Sequence, residues 1–530
     1  MGVPNGTGGS RGRVGDPRLA ARLRRELKGE VLFDAFSRGR YATDASIYQV
    51  EPIGVAVPRD EEDLVVAVQV AADEKVPILA RGGATSQCGQ TVGEALVLDT
   101  SKYLTGVLSV DAEARTAVVQ PGLVLDQLNA RLKPAGLFFP VDVSTSAMAT
   151  IGGMAGNNSC GTRSLRYGNM VHNVRAIDAV LADGTLARMD EGGEGAPRAL
   201  VDAVMAIHRR EADEIAARFP RIQRRVSGYN LDQLGVARPN LARLLVGSEG
   251  TLALFRRVEL SLQPLPRHKV LGVCHFPTFR KAMESTGAIV ALRPSAVELV
   301  DRNMIELGRE IPMFRAIMDR FVRGEPEALL FVEFAGDDRD AEIASLRRLE
   351  ERMGDLGLPG AVVEALDPAF QSQIWEVRKA GLNIMMSMKG EAKPVSFIED
   401  CAVPLPHLPD YTERLTALFE RHGTRGTWYA HASEGCLHVR PVLNLKQELD
   451  VRKMRAIAEE AFAIVREYKG SHSGEHGDGL VRSEFNPAMF GERLMAAFGE
   501  LKAAFDPHGR LNPGKIVDFT RMDDRTLFRF

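Results

Sequence analysis

A chain of 530 residues is too long for one hydrophobic core and implies two or three domains. Its 45% hydrophobic and 26% charged residues are those of an ordinary globular protein, and a formal net charge of -3 gives no reason to expect a nucleic-acid or other strongly anionic partner. The five cysteines (Cys88, Cys160, Cys274, Cys401 and Cys436) are scattered without a CxxC pair, which argues against a disulfide framework and against an iron–sulfur cluster held by this chain.

In chain order, residues 1–15 are Gly-rich and read as disorder. Asp16-Pro17 looks like an N-cap and first helical position, followed by Leu19, Leu23 and Leu27 at i, i+4 spacing among Arg18, Arg22, Arg24 and Arg25. This start reads either as a short helix packed on the domain or as an organelle transit segment. Strands are expected at 53–57, 76–80, 95–98 and 117–119, with a helix at 61–74 and another after Gly122. One long helix is expected over 198–219, a Pro-rich linker over 263–267, and strands at 268–276 and 328–334. The fold class is α+β, with a domain boundary near residue 266. No apolar run reaches the ~18 residues that span a bilayer. The expected location is cytoplasmic, with peripheral attachment at the inner membrane or an organelle matrix as alternatives.

Three glycine-bearing stretches stand at strand ends: Arg81-Gly-Gly-Ala-Thr-Ser86 through Gly93, Thr150-Ile-Gly-Gly153 through Gly161, and Val246-Gly-Ser-Glu-Gly-Thr-Leu252. Glycine turns successive N–H groups toward one point and lets a ligand approach the backbone, which suits a pyrophosphate. Neither GxxxxGK[ST] nor GxGxxG is present. One such loop is most often a plain turn; three within one domain point to a dinucleotide cofactor.

Farther on, Trp428-Tyr-Ala-His431 continues to Cys436-Leu-His438, and Ser473-Gly-Glu475-His476-Gly-Asp478 follows. His431, His438 and Glu475 form a set that suits zinc or another divalent ion with an open position. His476 stands beside it as a proton acceptor whose free pKa of ~6.5 leaves it mostly neutral at pH 7. The bland alternative is a set of unrelated histidines at turns, among 11 in the chain.

The strings ARGGATSQCGQT, FPVDVS, TIGGMAGNNSCGTRSLRYGNM, RVSGYNLDQL and LVGSEGTLAL resemble the FAD-binding domain of the vanillyl-alcohol oxidase/PCMH superfamily. HASEGCLHVRP, SGEHGDGLVR and LKAAFDPHGRLNPGKIV resemble its D-lactate and D-2-hydroxyglutarate dehydrogenase branch, above all the bacterial members whose flavin unit is fused to an iron–sulfur half. The resemblance covers about residues 35–517, six or more motifs standing in family order.

It implies a PCMH-type FAD-binding domain of two subdomains over 31–266, after a flexible extension over 1–30. A cap or substrate domain with an antiparallel sheet and helices follows over 267–470, and the segment 471–530 returns to the active site. It assigns FAD contacts to Arg81, Gly82, Gly83, Ala84, Thr85, Ser86 and Gly89, to Pro140, Asp142 and Ser144, to Thr150, Ile151, Gly152, Gly153, Asn157, Asn158, Gly161 and Tyr167, and to Glu249, Gly250 and Thr251. No His stands near the first loop, so FAD is expected to be non-covalent. The family's metal ligands match His431, His438 and Glu475, where a divalent ion, zinc first among Zn, Mn, Fe and Co, is expected; the base matches His476; substrate-carboxylate groups match Arg378 and Lys393. Leu382 stands where the family often has Thr, and Cys436 where it often has Asn or Asp; a fourth-ligand role for Cys436 is the weaker alternative.

The resemblance implies oxidation of a D-2-hydroxy acid, D-2-hydroxyglutarate or D-lactate, by hydride transfer to flavin. Its electrons are expected to pass to an iron–sulfur protein, an electron-transfer flavoprotein or a quinone. The apolar end Leu527-Phe-Arg-Phe530 reads as the edge of a trimmed or split flavin half. An oxygen-using oxidase, a zinc hydrolase and a non-catalytic flavin subunit are the rival readings; homo-oligomer formation is left open.

Overall fold

The computed structural model describes residues 13–235 and 238–529; the stretch 1–12 read as disorder, the side chain of Leu382 and the terminal Phe530 lie outside the described residues. From Arg13 onward the chain is packed, which corrects the flexible extension expected through residue 30. Asp16 caps the helix Pro17–Glu26 by accepting from the amides of Arg18 and Leu19, and Leu19, Ala20 and Leu23 are buried. Arg13 and Arg22 both pair with Glu74, fastening this helix to the C-terminal end of the helix Glu61–Asp73.

The first sheet has the spatial order Glu30–Leu32, Gly54–Val57, Leu96–Asp99, Ile78–Arg81. The last three strands are parallel. The helix Glu61–Asp73, whose N-terminus Asp60 caps, carries the chain from Gly54–Val57 to Ile78–Arg81, the parallel strand on the far side of Leu96–Asp99. Every residue of Gly54–Val57 and Leu96–Asp99 is buried, as expected of strands covered on both faces. The loop after Ile78–Arg81 therefore leaves the carboxyl end of a parallel strand, where open α/β sheets bind ligands. A second, antiparallel sheet has the order Val107–Asp111, Thr116–Val119, Leu254–Ser261, Val174–Val180, Leu186–Met189.

The third sheet is antiparallel and larger: Val362–Ala365, His268–Phe276, Ala328–Gly336, Ala296–Asp301, Gly426–His431, Cys436–Leu443, Lys393–Pro394, with Cys401–Ala402 also on Cys436–Leu443. Its register builds part of the site. His431 lies opposite Cys436. Alternation along the strand then puts His431, Cys436 and His438 on one face. Leu299 pairs with Ala430, so the next step brings Glu298 opposite His431.

Two expectations are corrected. The helix expected over 198–219 is two, Arg198–Arg210 and Ala212–Arg218, because Glu211 turns out of helical geometry at φ -97°, ψ 9°. Glu211 is buried and paired with Arg210 and Arg493, and the bend lets Phe219 meet Phe490 and Phe498 of the helix Asn486–Phe505. The Pro-rich 263–267 stretch is not a free linker, since Gln263–Pro264 pairs with Leu137–Phe138. Beyond residue 470 the chain comes back to the first sheet, where the Asn512 amide donates to the Ile78 carbonyl. Among the described residues no helix is long and apolar enough to cross a membrane.

Candidate active site

A cavity of about 710 Å³ opens between the two small sheets and the large one. Of the residues expected to hold FAD, Arg81, Gly82, Gly83, Ala84, Thr85, Ser86, Asp142, Ser144, Thr150, Gly152, Gly153, Asn157, Gly161, Glu249 and Gly250 line it. From the other half come Arg378, His431, His438, Glu475 and His476. Pro140 and Tyr167 line an adjoining pocket of about 140 Å³ instead.

Gly89, Ile151, Asn158 and Thr251 are not on the cavity wall, and each has a local task. Gly89 turns the chain at φ +79°, Ile151 is core, Asn158 ends a helix in the left-handed region and accepts from the Val171 amide, and Thr251 meets the Tyr229 hydroxyl at 2.7 Å. The Arg81 guanidinium donates to the carbonyls of Tyr41, Thr43 and Thr91, so Arg81 braces its loop from behind. Lys393, expected to touch substrate, is also off the wall; its Nζ donates to the Met388 carbonyl at 2.6 Å.

The glycine loops fit a ligand held by backbone. A Cβ on Gly82 would stand 2.1 Å from Thr150 Oγ1, and one on Gly83 would stand 2.3 Å from the Met148 carbonyl oxygen. Only glycine lets the first and second loops close on each other. Thr150 caps the helix Ile151–Asn157 by accepting from the Gly153 amide. Glu249, buried beneath the third loop, accepts from the amides of Asp478 and Gly479 and from Gln90. Burial and then Asp478 push its carboxyl upward.

Amides from this half grip the reactive segment: Asn157 Nδ2 donates to the Glu475 carbonyl at 2.7 Å and Gln90 Nε2 to the His476 carbonyl at 2.6 Å. Glu475 Oε1 is 3.1 Å from both His438 Nε2 and His476 Nε2, and Oε2 is 3.3 Å from His431 Nε2. The ligand atoms of His431, His438 and Glu475 lie within 4.8 Å of one another, all buried. Zinc bonds of about 2.0–2.2 Å place neighbouring tetrahedral ligands roughly 3.3–3.6 Å apart, so the donors are spaced for one small divalent ion. Glu399, His438 and His476 form a second such group.

Carboxylates behind the cluster orient it. Glu298 Oε1 is 2.7 Å from His431 Nδ1, which turns Nε2 toward Glu475, and Glu298 Oε2 also receives Arg378 Nη2. Asp400, at φ 62°, accepts on one oxygen from the Ser473 hydroxyl and from the amides of Glu475 and His476. Its other oxygen is 2.7 Å from Arg482 Nη2. Arg224, wholly buried, bridges Glu475, Glu434 and the Gly161 carbonyl, joining the reactive segment to the second glycine loop.

These charges set the protonation states. Burial opposes ionisation of Glu475, but His431, His438 and Arg224 outweigh it and hold the carboxyl well below its usual range. Burial lowers His438 to about 4 against the pull of Glu475, leaving a neutral imidazole, the form that binds metals. His476 departs from the ordinary imidazole expected of it. Burial lowers it, yet Asp400, Glu399 and Glu475 outweigh burial and raise it to about 10, favouring the protonated imidazole.

Arg224, Glu298, Glu399 and Asp400 were not anticipated. The only signal for the last two is a pair of adjacent acids inside the apolar run Phe397-Ile-Glu-Asp-Cys-Ala-Val403. Arg224 and Glu298 carry none, because their partners are 251 and 133 residues away.

Residues 52–190 match the FAD binding domain family, and residues 265–516 match the C-terminal domain of FAD linked oxidases. The chain is 34% identical over 503 residues to D-2-hydroxyglutarate dehydrogenase of Pantoea ananatis, covering 90% of this chain and 49% of the relative. It is 28% identical over 466 residues to D-lactate dehydrogenase of Archaeoglobus fulgidus, covering 87% of this chain and 91% of the relative. It thus spans about half the length of the D-2-hydroxyglutarate dehydrogenases it matches. A substrate-bound crystal structure of p-cresol methylhydroxylase shares the fold at a TM-score of 0.71 and 15% identity, covering 95% and 96% of the two chains. With an FAD-binding domain ahead of that C-terminal domain, the chain belongs to the FAD-linked oxidase family.

Proposed function

We propose that the chain oxidises a D-2-hydroxy acid to the 2-oxo acid. The observation that carries this reading is a single cavity: the glycine loops, the His431–His438–Glu475 cluster, His476 and Arg378 all open on it. FAD held by the loops at 82–86, 150–153 and 249–250 supplies a hydride acceptor. A divalent ion held by His431, His438 and Glu475, most simply zinc, supplies Lewis acidity at the 2-hydroxyl.

The chain's own groups do the rest. Arg378 lies 4.9 Å from the Tyr429 ring centre and spends one nitrogen on Glu298, which leaves donors for the substrate carboxylate. His476 takes the hydroxyl proton at Nε2, the nitrogen beside Glu475, while Nδ1 rests 3.1 Å from Glu399. A cation bound by Glu475 would weaken one of the carboxylates that raise His476, the others being Asp400 and Glu399, and so would favour its neutral form.

The five cysteines are buried and unpaired, which supports a reducing compartment, the cytoplasm. Neither candidate metal group among the described residues contains cysteine, which supports a separate electron acceptor: an iron–sulfur protein, an electron-transfer flavoprotein or a quinone. The test is steady-state oxidation of D- and L-2-hydroxy acids with an artificial electron acceptor. Turnover of a D-acid that stops on removal of divalent metal supports the reading; oxidation of none, or rapid stoichiometric peroxide formation in air, counts against it.

A further inference from the structure

The cavity has a wall that the steps above leave unused. Beyond Arg378, the helix Pro368–Lys379 turns Gln371 and Trp375 to the cavity at spacings of seven and three residues from Arg378, one continuous face. Gln371 Nε2 donates to the carbonyl of Lys269 at 3.0 Å, tying that face to the start of the strand His268–Phe276. Lys269 lines the large cavity and the adjoining small pocket alike.

The charges on this wall are unequal. Its two carboxylates, Asp142 and Glu333, are both taken by Arg163, whose nitrogens stand 3.0 Å from the first and 2.7 Å from the second. Lys269, partly buried beside them, makes no hydrogen bond or ion pair through its ammonium group among the described residues, nor do Arg267 and Lys379, which line the same cavity. Burial, with Arg163 and Lys379 adding to it, lowers the Lys269 pKa against the opposing pull of Glu333 and Asp142. A half-desolvated ammonium with no partner is unfavourable until an anion joins it.

We propose that Lys269 binds the distal carboxylate of the substrate and so selects a 2-hydroxy dicarboxylate over a lactate-sized acid. The inference rests on the hydroxy-acid reading above. The seven residues from Gln371 to Arg378 advance the helix by about 10 Å. Lys269 and Arg378 line the same cavity, so a substrate with its first carboxylate at Arg378 can present its second to Lys269 across a short methylene chain. An acid without a second carboxylate leaves Lys269 unanswered. Arg267 and Lys379, exposed at the rim, add positive potential that draws in a dianion.

The test compares the wild-type holoprotein with Lys269→Gln, which keeps a polar side chain, one atom shorter, but removes charge, and with Lys269→Arg, which restores it. The quantity read is kcat/KM for D-2-hydroxyglutarate divided by that for D-lactate. The proposal expects this ratio to fall at least tenfold in Lys269→Gln, chiefly through KM, and to recover in Lys269→Arg. A ratio within twofold of wild type, or an equal fall for both acids, overturns it. A second readout needs no turnover: glutarate, which has no hydroxyl to oxidise, is titrated against the flavin absorbance. The expected result is binding to wild type and at least tenfold weaker binding to Lys269→Gln; no glutarate binding to wild type, or equal binding to both, also overturns it. If glutarate binding depends on Lys269 while no hydroxy acid reduces the flavin, the hydroxy-acid reading fails and the anion subsite stands.

Discussion

Replacing Glu298 by glutamine separates the structural and chemical roles of a buried carboxylate. Glu298 is fully buried and serves two groups, His431 Nδ1 at 2.7 Å and Arg378 Nη2. A glutamine of the same shape has one acceptor oxygen. If that oxygen stays with Arg378, the amide NH₂ faces His431 Nδ1 and forces the tautomer with its proton on Nε2, the atom that points at Glu475. That nitrogen can then no longer ligate. Loss of one charge-assisted hydrogen bond costs about 1.5–3 kcal/mol of folding stability. The change in histidine orientation costs about 10- to 100-fold in metal affinity or activity. Glu298→Ala, which strands Arg378 in a buried site, costs about 3–5 kcal/mol. Urea unfolding, metal content after dialysis and kcat/KM measure the three quantities. A Glu298→Gln protein with metal content and kcat/KM within twofold of wild type refutes this account of the cluster.

Four further outcomes are expected. His431→Ala keeps its flavin but loses turnover and bound metal, checked by absorbance and elemental analysis; normal activity and metal content remove the metal assignment. Arg378→Ala lowers kcat/KM by orders of magnitude at unchanged flavin content, and a small change means that Arg378 does not hold the substrate. Gly82→Ala, whose new methyl meets Thr150 Oγ1 at 2.1 Å, lowers the flavin-to-protein absorbance ratio and costs roughly 1–3 kcal/mol, read by thermal unfolding. His472, wholly buried beside Arg466, has its pKa lowered to about 3 by burial and then by the arginines. The unfolded chain takes up that proton near pH 6.5, so this contribution to stability is complete above that pH and is lost, by a few kcal/mol, as the pH falls toward 3. Urea midpoints across that range should fall less steeply in His472→Phe.

What could be read from the sequence follows from how local each signal is. The three glycine loops were legible because close approach of backbone to backbone is written into the residue type itself, as Gly82 and Gly83 show against Thr150 and Met148. His431 and His438 were legible because a tight hairpin joins neighbours in sequence. Glu298 was not: it is one of 70 acids, and only sheet register puts it against His431. The bend at Glu211 was hidden for the same reason, since Arg493, which holds that carboxylate, arrives from the distant helix Asn486–Phe505. Lys393 was expected at the substrate by motif position, yet its side chain closes the short loop back to Met388, a choice made by local geometry. His476 kept its place but not its ordinary pKa, because two of the acids that raise it, Glu399 and Asp400, come from another strand connection.

The proposed reaction requires one cavity to bring flavin, a divalent ion and a hydroxy acid together. The most direct measurement is anaerobic titration of the purified flavoprotein with D- and L-2-hydroxy acids, following the flavin absorbance. The account predicts bleaching by a D-acid, abolished by a chelator, restored by a divalent metal, and absent in His431→Ala. A flavin that no hydroxy acid bleaches, or that bleaches equally with and without metal, contradicts it.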